Sequence, residues 1–203
     1  MIIFTKERRV KMSDYLPTRE DAYNLLLKYT ESDHLIKHAL AVEASMAHFA
    51  ELYGEDVEKW GVIGLIHDLD FDKWPDQHCD MTKKILEEEN WPDDYIRAVM
   101  SHGYGIRTDA EPKENVEKVI YTIDELTGLI SATALMRPSK SILDLEAKSV
   151  KKKFKQKSFA AGVNREVIEN GAKMLGKDLT EVITETIKGM QKVAEEIGLK
   201  GEL

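Results

Sequence analysis

Gly61-Val-Ile-Gly-Leu-Ile-His67-Asp68-Leu-Asp-Phe-Asp72 is the stretch on which the reading of this chain turns. An apolar run leads into an imidazole and a carboxylate side by side. Burying that pair is costly unless something neutralises and bonds it, and a divalent cation does both. Val57 and Trp60 continue the apolar positions upstream at helical spacing, so residues 55–69 are predicted to form a helix ending at the pair. Carbonyl ends of helices carry partial negative charge, which favours a cation there. Gly61 and Gly64 would let another helix approach closely.

The three-and-four spacing of apolar residues dominates outward from this segment, and no convincing period-two alternation occurs. The chain therefore reads as all-α, a single-domain helical bundle. Thr18 or Asp21 opens a first helix through Leu25, Leu26 and Leu27. Ser32-Asp33 caps a long second one that Gly54 stops. After the His-Asp pair, helices are expected over 76–89 and 93–101, each introduced by Trp-Pro. Others are expected over 114–136, with Pro138 ending it, and over 164–175 and 180–197. The expected organisation is an N-terminal extension (1–17), a metal-binding helical core (18–136) and a helical C-terminal extension packed on that core (137–203).

With 203 residues, 42% of them apolar and 33% charged, the chain has a globular balance and enough length for one buried core. No apolar run approaches the ~20 residues that span a bilayer, and charges come too early in the N-terminal segment for a secretory signal. A cytoplasmic location without membrane attachment is the expectation. The net charge of −8 argues against dedicated nucleic-acid binding. Within it, residues 137–157 form a basic segment carrying eight Lys or Arg against Asp144 and Glu146. Cys79 is the only cysteine, so neither an internal disulfide nor a thiolate cluster is available. A metal would have to rely on imidazole and carboxylate.

Such groups recur along the chain. His38 shares a helical face with Val42, Ser45 and Phe49, so an imidazole begins a core-facing stripe. His34, a turn earlier, is expected to be exposed, and His48 to be structural or at the surface. Asp124 is stacked with Thr127, Gly128 and Ser131 inside an otherwise apolar helix, with no cation within a turn of it. His78 and His102 fall where loops meet helices. With His38, His67, Asp68 and Asp124 they would complete two sites bridged by Asp68, an N/O set that hard or borderline divalent ions accept. Other motifs fail. Asp68-x-Asp70-x-Asp72 lacks the glycine and glutamate of a calcium loop, and Cys79 lies among acidic residues expected to raise its pKa.

A histidine, a His-Asp doublet and a helix-borne aspartate, in that order in a helical protein, resemble the HD-domain superfamily of metal-dependent phosphohydrolases. The resemblance covers roughly residues 30–135. It implies that His38, His67, Asp68 and Asp124 are the four metal ligands, and that His78 and His102 are the extra histidines of the dinuclear members. The tail from Ile142 to Leu203 resembles the helical extension of a subgroup of HD hydrolases. Members that cleave cyclic dinucleotides carry Gly-Lys-type signatures just after the doublet, where this chain has Leu69-Asp70-Phe71-Asp72.

The expected activity is hydrolysis of a phosphoester in a nucleotide or other small phosphorylated substrate. One or two divalent ions (Mn, Fe, Zn, Ni or Mg) would serve it. Asp68 would ligate and bridge, Asp70, Asp72 or Lys73 would orient water or serve the leaving group, and Arg137, Lys140 and Lys153 would contact phosphate. Two other readings stand beside it. Relatives with a di-iron centre on the same ligands are oxygenases, and a module that has lost activity would bind metal or nucleotide without turnover.

Overall fold

The computed structural model describes residues 16–202. Of the expected N-terminal extension, residues 1–15 lie outside this range. The described residues form nine α-helices and no strand: α1 (Arg19–Tyr29), α2 (Asp33–Tyr53), α3 (Val57–Ile66), α4 (Asp80–Glu88), α5 (Asp93–Ser101), α6 (Asn115–Leu135), α7 (Ala147–Phe154), α8 (Arg165–Met174) and α9 (Leu179–Gln191). The all-α expectation holds.

Local chemistry accounts for many of the boundaries. Thr18 and Asp21 form a reciprocal capping box on α1. Asp56, Asn164 and Asp178 accept hydrogen bonds from the first free N–H groups of α3, α8 and α9. Gly54, at φ 69°, closes α2. Three predicted helices are shorter than expected. The segment 76–89 begins as a 3-10 turn at Pro75–Gln77, and α4 starts only at Asp80, because Cys79 has φ 72° and breaks the helical path. The last helix ends at Gln191, and turns replace the predicted continuation to Ile197. Likewise α3 stops at Ile66, and a run of turns carries Asp68 to Lys73.

Helix α2 is the axis of the bundle and packs against α3, α9 and α6. Met46, Phe49, Leu65, Ile66, Ile123, Leu126 and Leu129 are fully buried around it. Helix α8 lies on α6, and α7 lies between α6 and α9. The segment beyond residue 137 is thus built into the core. The basic segment contributes α7, with Val150 and Phe154 inward and most of its lysines outward. Among the described residues no helix is long and apolar enough to cross a membrane.

The α2–α3 contact depends on Gly64. A Cβ there would meet the backbone Cα and N of Glu43 at 2.9 Å, whereas at Gly61 it would make only an ordinary contact, 3.6 Å from Glu43 Cγ. Gly64→Ala should therefore destabilise the fold. The overpacking cost of about 1–3 kcal/mol outweighs the roughly 1 kcal/mol gain in helix propensity at its upper end. A melting temperature lower by about 4–8 °C in thermal denaturation is expected at that upper end for a chain of this size.

Candidate metal centre

Two helices end at one point and deliver a histidine each. His67 follows the last residue of α3 and His102 the last residue of α5. Each folds its ring back onto the helix: His67 Nδ1 lies 2.8 Å from Gly64 O and His102 Nδ1 2.5 Å from Val99 O. A carbonyl oxygen can only accept, so both Nδ1 atoms carry the proton and both Nε2 lone pairs face inward. The same logic holds elsewhere. His78 Nδ1 lies 2.9 Å from Asp70 Oδ1. His38 Nδ1 lies 3.4 Å from Thr127 Oγ1, whose own proton goes to Asp124 O. Four imidazoles are thus held from behind with Nε2 presented, the arrangement that orients metal-bound histidines.

The inward atoms form two groups. In the first, His38 Nε2 is 3.3 Å from His67 Nε2 and 3.0 Å from Asp124 Oδ1. His67 Nε2 is 3.3 Å from Asp124 Oδ1 and 3.4 Å from Asp68 Oδ2. Ligand atoms at 2.0–2.1 Å around a tetrahedral ion lie about 3.3 Å apart, so these spacings suit one cation. In the second group, His78 Nε2 and His102 Nε2 are 3.1 Å apart and lie 3.6 Å and 3.4 Å from Asp68 Oδ1. Asp68 joins the two groups through its separate oxygens. Its Oδ1 is buried and has no hydrogen-bond partner. An orphaned carboxylate oxygen among imidazole nitrogens fits a divalent ion.

Without an ion, protons take the cation's place. Burial disfavours charge on His78, but the Asp70 carboxylate against Nδ1 reverses this and pushes its pKa up to about 10. Burial likewise opposes charge on His102 and His38, yet Asp68 and Asp124 respectively raise both. Burial pushes Asp68 and Asp124 up, and the adjoining imidazoles outweigh it and hold both carboxyls below the usual range. Ions must displace these protons. Metal affinity should therefore strengthen as pH rises from 6 to 9, with proton release on binding, measured by titration calorimetry in buffers of differing ionisation enthalpy. The ion-free protein should behave in the opposite sense. Stability from the raised imidazoles is complete below about 6.5 and is lost as pH climbs toward about 10.

The structure gathers all six residues expected as ligands: His38, His67, Asp68, Asp124, His78 and His102. It places the other expected site residues differently. Asp70 is fully buried and holds His78 while accepting from Thr82 N, so it does not face the reacting space. Asp72 caps the α1–α2 connection, accepting from Glu31 N and Ser32 N. Lys73 donates to Lys28 O and lies over Tyr29. Arg137 is paired with Asp144, and Lys153 lies over Phe159. Neither these two nor Lys140 lines the pocket at the centre. Cations in a basic run give no local sign of which way the bundle turns them.

One expectation needs correction. Cys79 stands beside the centre, with its Sγ 3.8 Å from His102 Nε2. Burial raises the thiol pKa, but hydrogen bonds with His102 and His78 overcome this and hold it below the ordinary value, against the rise expected from its acidic sequence neighbours.

The centre forms the floor of a cavity of about 780 Å³. Leu35, Ile106, Leu135, Val167 and Leu199 give it an apolar wall, and Arg107 and Lys37, the latter paired with Asp33 at 2.6 Å, bring positive charge to it. Both cations escaped sequence reading because no motif surrounds them. Gly162 and Val163 complete one side, in a loop gathered by Arg165. That guanidinium donates to the carbonyls of Phe154, Gln156, Phe159, Ala160 and Val163. The loop is tied to α6 as well, through Asn164 N donating to Glu125 Oε2.

Comparison with known proteins adds a family and no structural relative. No solved structure matches the chain. The HD domain matches residues 35–129, a span that holds all six converging candidate ligands, and that span belongs to the HD-domain superfamily.

Proposed function

We propose that this protein is a metal-dependent phosphohydrolase that acts on a small phosphorylated substrate with a substantial apolar part. HD-domain proteins are in general metal-dependent phosphohydrolases. The observation that carries the reading is the division of the Asp68 carboxylate between two sets of presented Nε2 atoms, with Oδ1 left unsatisfied on the floor of an open cavity.

His38, His67, Asp124 and Asp68 would hold one ion, and His78, His102 and Asp68 a second. A bound divalent ion polarises a phosphoryl oxygen and lowers the pKa of a water from 15.7 toward ~7. The chain supplies the rest. Lys37 and Arg107 offer positive charge to the phosphate, the roles first expected of Arg137, Lys140 and Lys153. The apolar wall excludes water and grips the non-phosphate portion of the substrate.

The test is phosphate release from a panel of nucleotides and of aryl and alkyl phosphates, with Mn, Zn, Ni, Mg or Fe added to protein stripped of metal. Metal-dependent release, greater for substrates with an apolar group, is expected. Oxygen uptake with iron and no phosphate release would support the di-iron oxygenase instead. Tight metal binding with neither activity would mark a binding module.

A further inference from the structure

The thiol of Cys79 sits at the metal centre and has no part in the hydrolytic reading above. It is fully buried, and the loop after α5 closes over it: a Cβ on Gly103 would lie 2.7 Å from the sulfur. Its backbone, at φ 72° and ψ −43°, is close to the rare γ-turn geometry that L residues avoid. That conformation turns the chain between His78 and α4 and keeps both side chains on the same side as His102.

Distances give the arrangement its meaning. Around one tetrahedral ion, a sulfur at about 2.3 Å and a nitrogen at 2.0–2.1 Å lie about 3.6 Å apart. Cys79 Sγ is 3.8 Å from His102 Nε2. The donor atoms of His78, Cys79 and His102 all lie within 4.8 Å of one another, and the spacings of 3.1, 3.4 and 3.6 Å among His78, His102 and Asp68 Oδ1 scatter about the 3.3 Å expected for nitrogen and oxygen donors. The unsatisfied Asp68 Oδ1 lies 3.4 Å from His102 Nε2 and 3.6 Å from His78 Nε2, the two imidazoles beside the thiol. The group around His38 contains no sulfur, only imidazole and carboxylate.

We propose that Cys79 is a direct ligand of the second ion, completing a site of two imidazoles, one carboxylate oxygen and one thiolate. This inference rests on the metal-centre reading above. Its consequence is a centre with unlike halves. The thiolate half selects softer ions such as Zn²⁺ or Co²⁺, and the nitrogen-and-oxygen half around His38 remains open to Mn²⁺ or Mg²⁺. Binding replaces the S–H proton by the metal, and the proton leaves to solvent.

Titration of the metal-free full chain with Co²⁺ under reducing conditions tests this directly. Visible d–d bands report ion binding of any kind, and a near-ultraviolet thiolate-to-cobalt charge-transfer band reports sulfur ligation. Two ions per chain are expected, with the charge-transfer band saturating on one of them. Cys79→Ser should lose that band, keep the first ion, and bind the second at least about 10- to 100-fold more weakly, the loss that removing even an outer-shell partner causes. Visible bands without charge transfer in the unsubstituted protein would overturn the thiolate assignment and leave the hydrolase reading intact. Absence of any cobalt binding would overturn both. The decisive spectrum comes from the native chain, so it does not depend on how the variant folds.

Discussion

Asp68→Asn should leave a folded protein that no longer holds two ions and turns over substrate at least about 10²–10³-fold more slowly. That factor is the loss on removing a single preorganised electrostatic contact, and here one carboxylate serves both groups of donors through its two oxygens. The amide keeps the size of the side chain but removes the negative charge that offsets the cations. Metal content of the purified variant and phosphate release measured together provide the check. Thermal denaturation gives a second signal. An ion present at a hundred times its dissociation constant stabilises the native state by about 2.7 kcal/mol, which is about 5–11 °C for a chain of this size. The unsubstituted protein should lose that increment in chelator, and Asp68→Asn should show none to lose. Near-normal metal-dependent turnover by the variant would remove the basis of the proposed chemistry.

The second large effect is expected at Asp70, a residue that touches no ion in this arrangement. Its two oxygens each have a buried client: Oδ1 takes the Nδ1 proton of His78 and Oδ2 the backbone N–H of Thr82. An asparagine offers only one acceptor oxygen, so Asp70→Asn must leave one of the two donors unmet. His78 then loses the anchor that aims its Nε2. Affinity at the second ion should fall about 10- to 100-fold while the first ion is unaffected, and the unmet donor should cost about 1–3 kcal/mol of stability. Calorimetric metal titration with two resolved phases would show the selectivity. Equal weakening of both phases would mean that His78 and His102 do not form a separate subsite.

Asp70 also marks where sequence reading stops. The helices were legible because their signals are local: the Thr18–Asp21 box, Gly54 after α2, and the apolar spacing of α3 and α6. The ligand set was legible for a related reason. A histidine at the end of an apolar helix, or an aspartate inside one, cannot be buried alone, and the demand shows in the immediate neighbours. What Asp70, Asp72 and Lys73 do is decided by residues distant in the chain, namely Thr82, Glu31 and Lys28. The acidic neighbours of Cys79 suggested a repelled, inert thiol. Its environment in space is two imidazoles, supplied by a backbone conformation that no residue type in that stretch announces.

The clasp formed by Arg165 separates two kinds of change that this protein can undergo. Of the candidate ligands, His38 and Asp124 lie on α2 and α6, and His67, Asp68, His78 and His102 lie in the turns that follow α3 and α5. The side of the cavity at Gly162 and Val163 belongs to a loop whose shape is imposed by a single guanidinium gathering five main-chain oxygens. Side chains in that loop can therefore vary while the clasp keeps its path. Under the proposed function, a few loop positions would tune which molecule the cavity takes without moving the six candidate ligands.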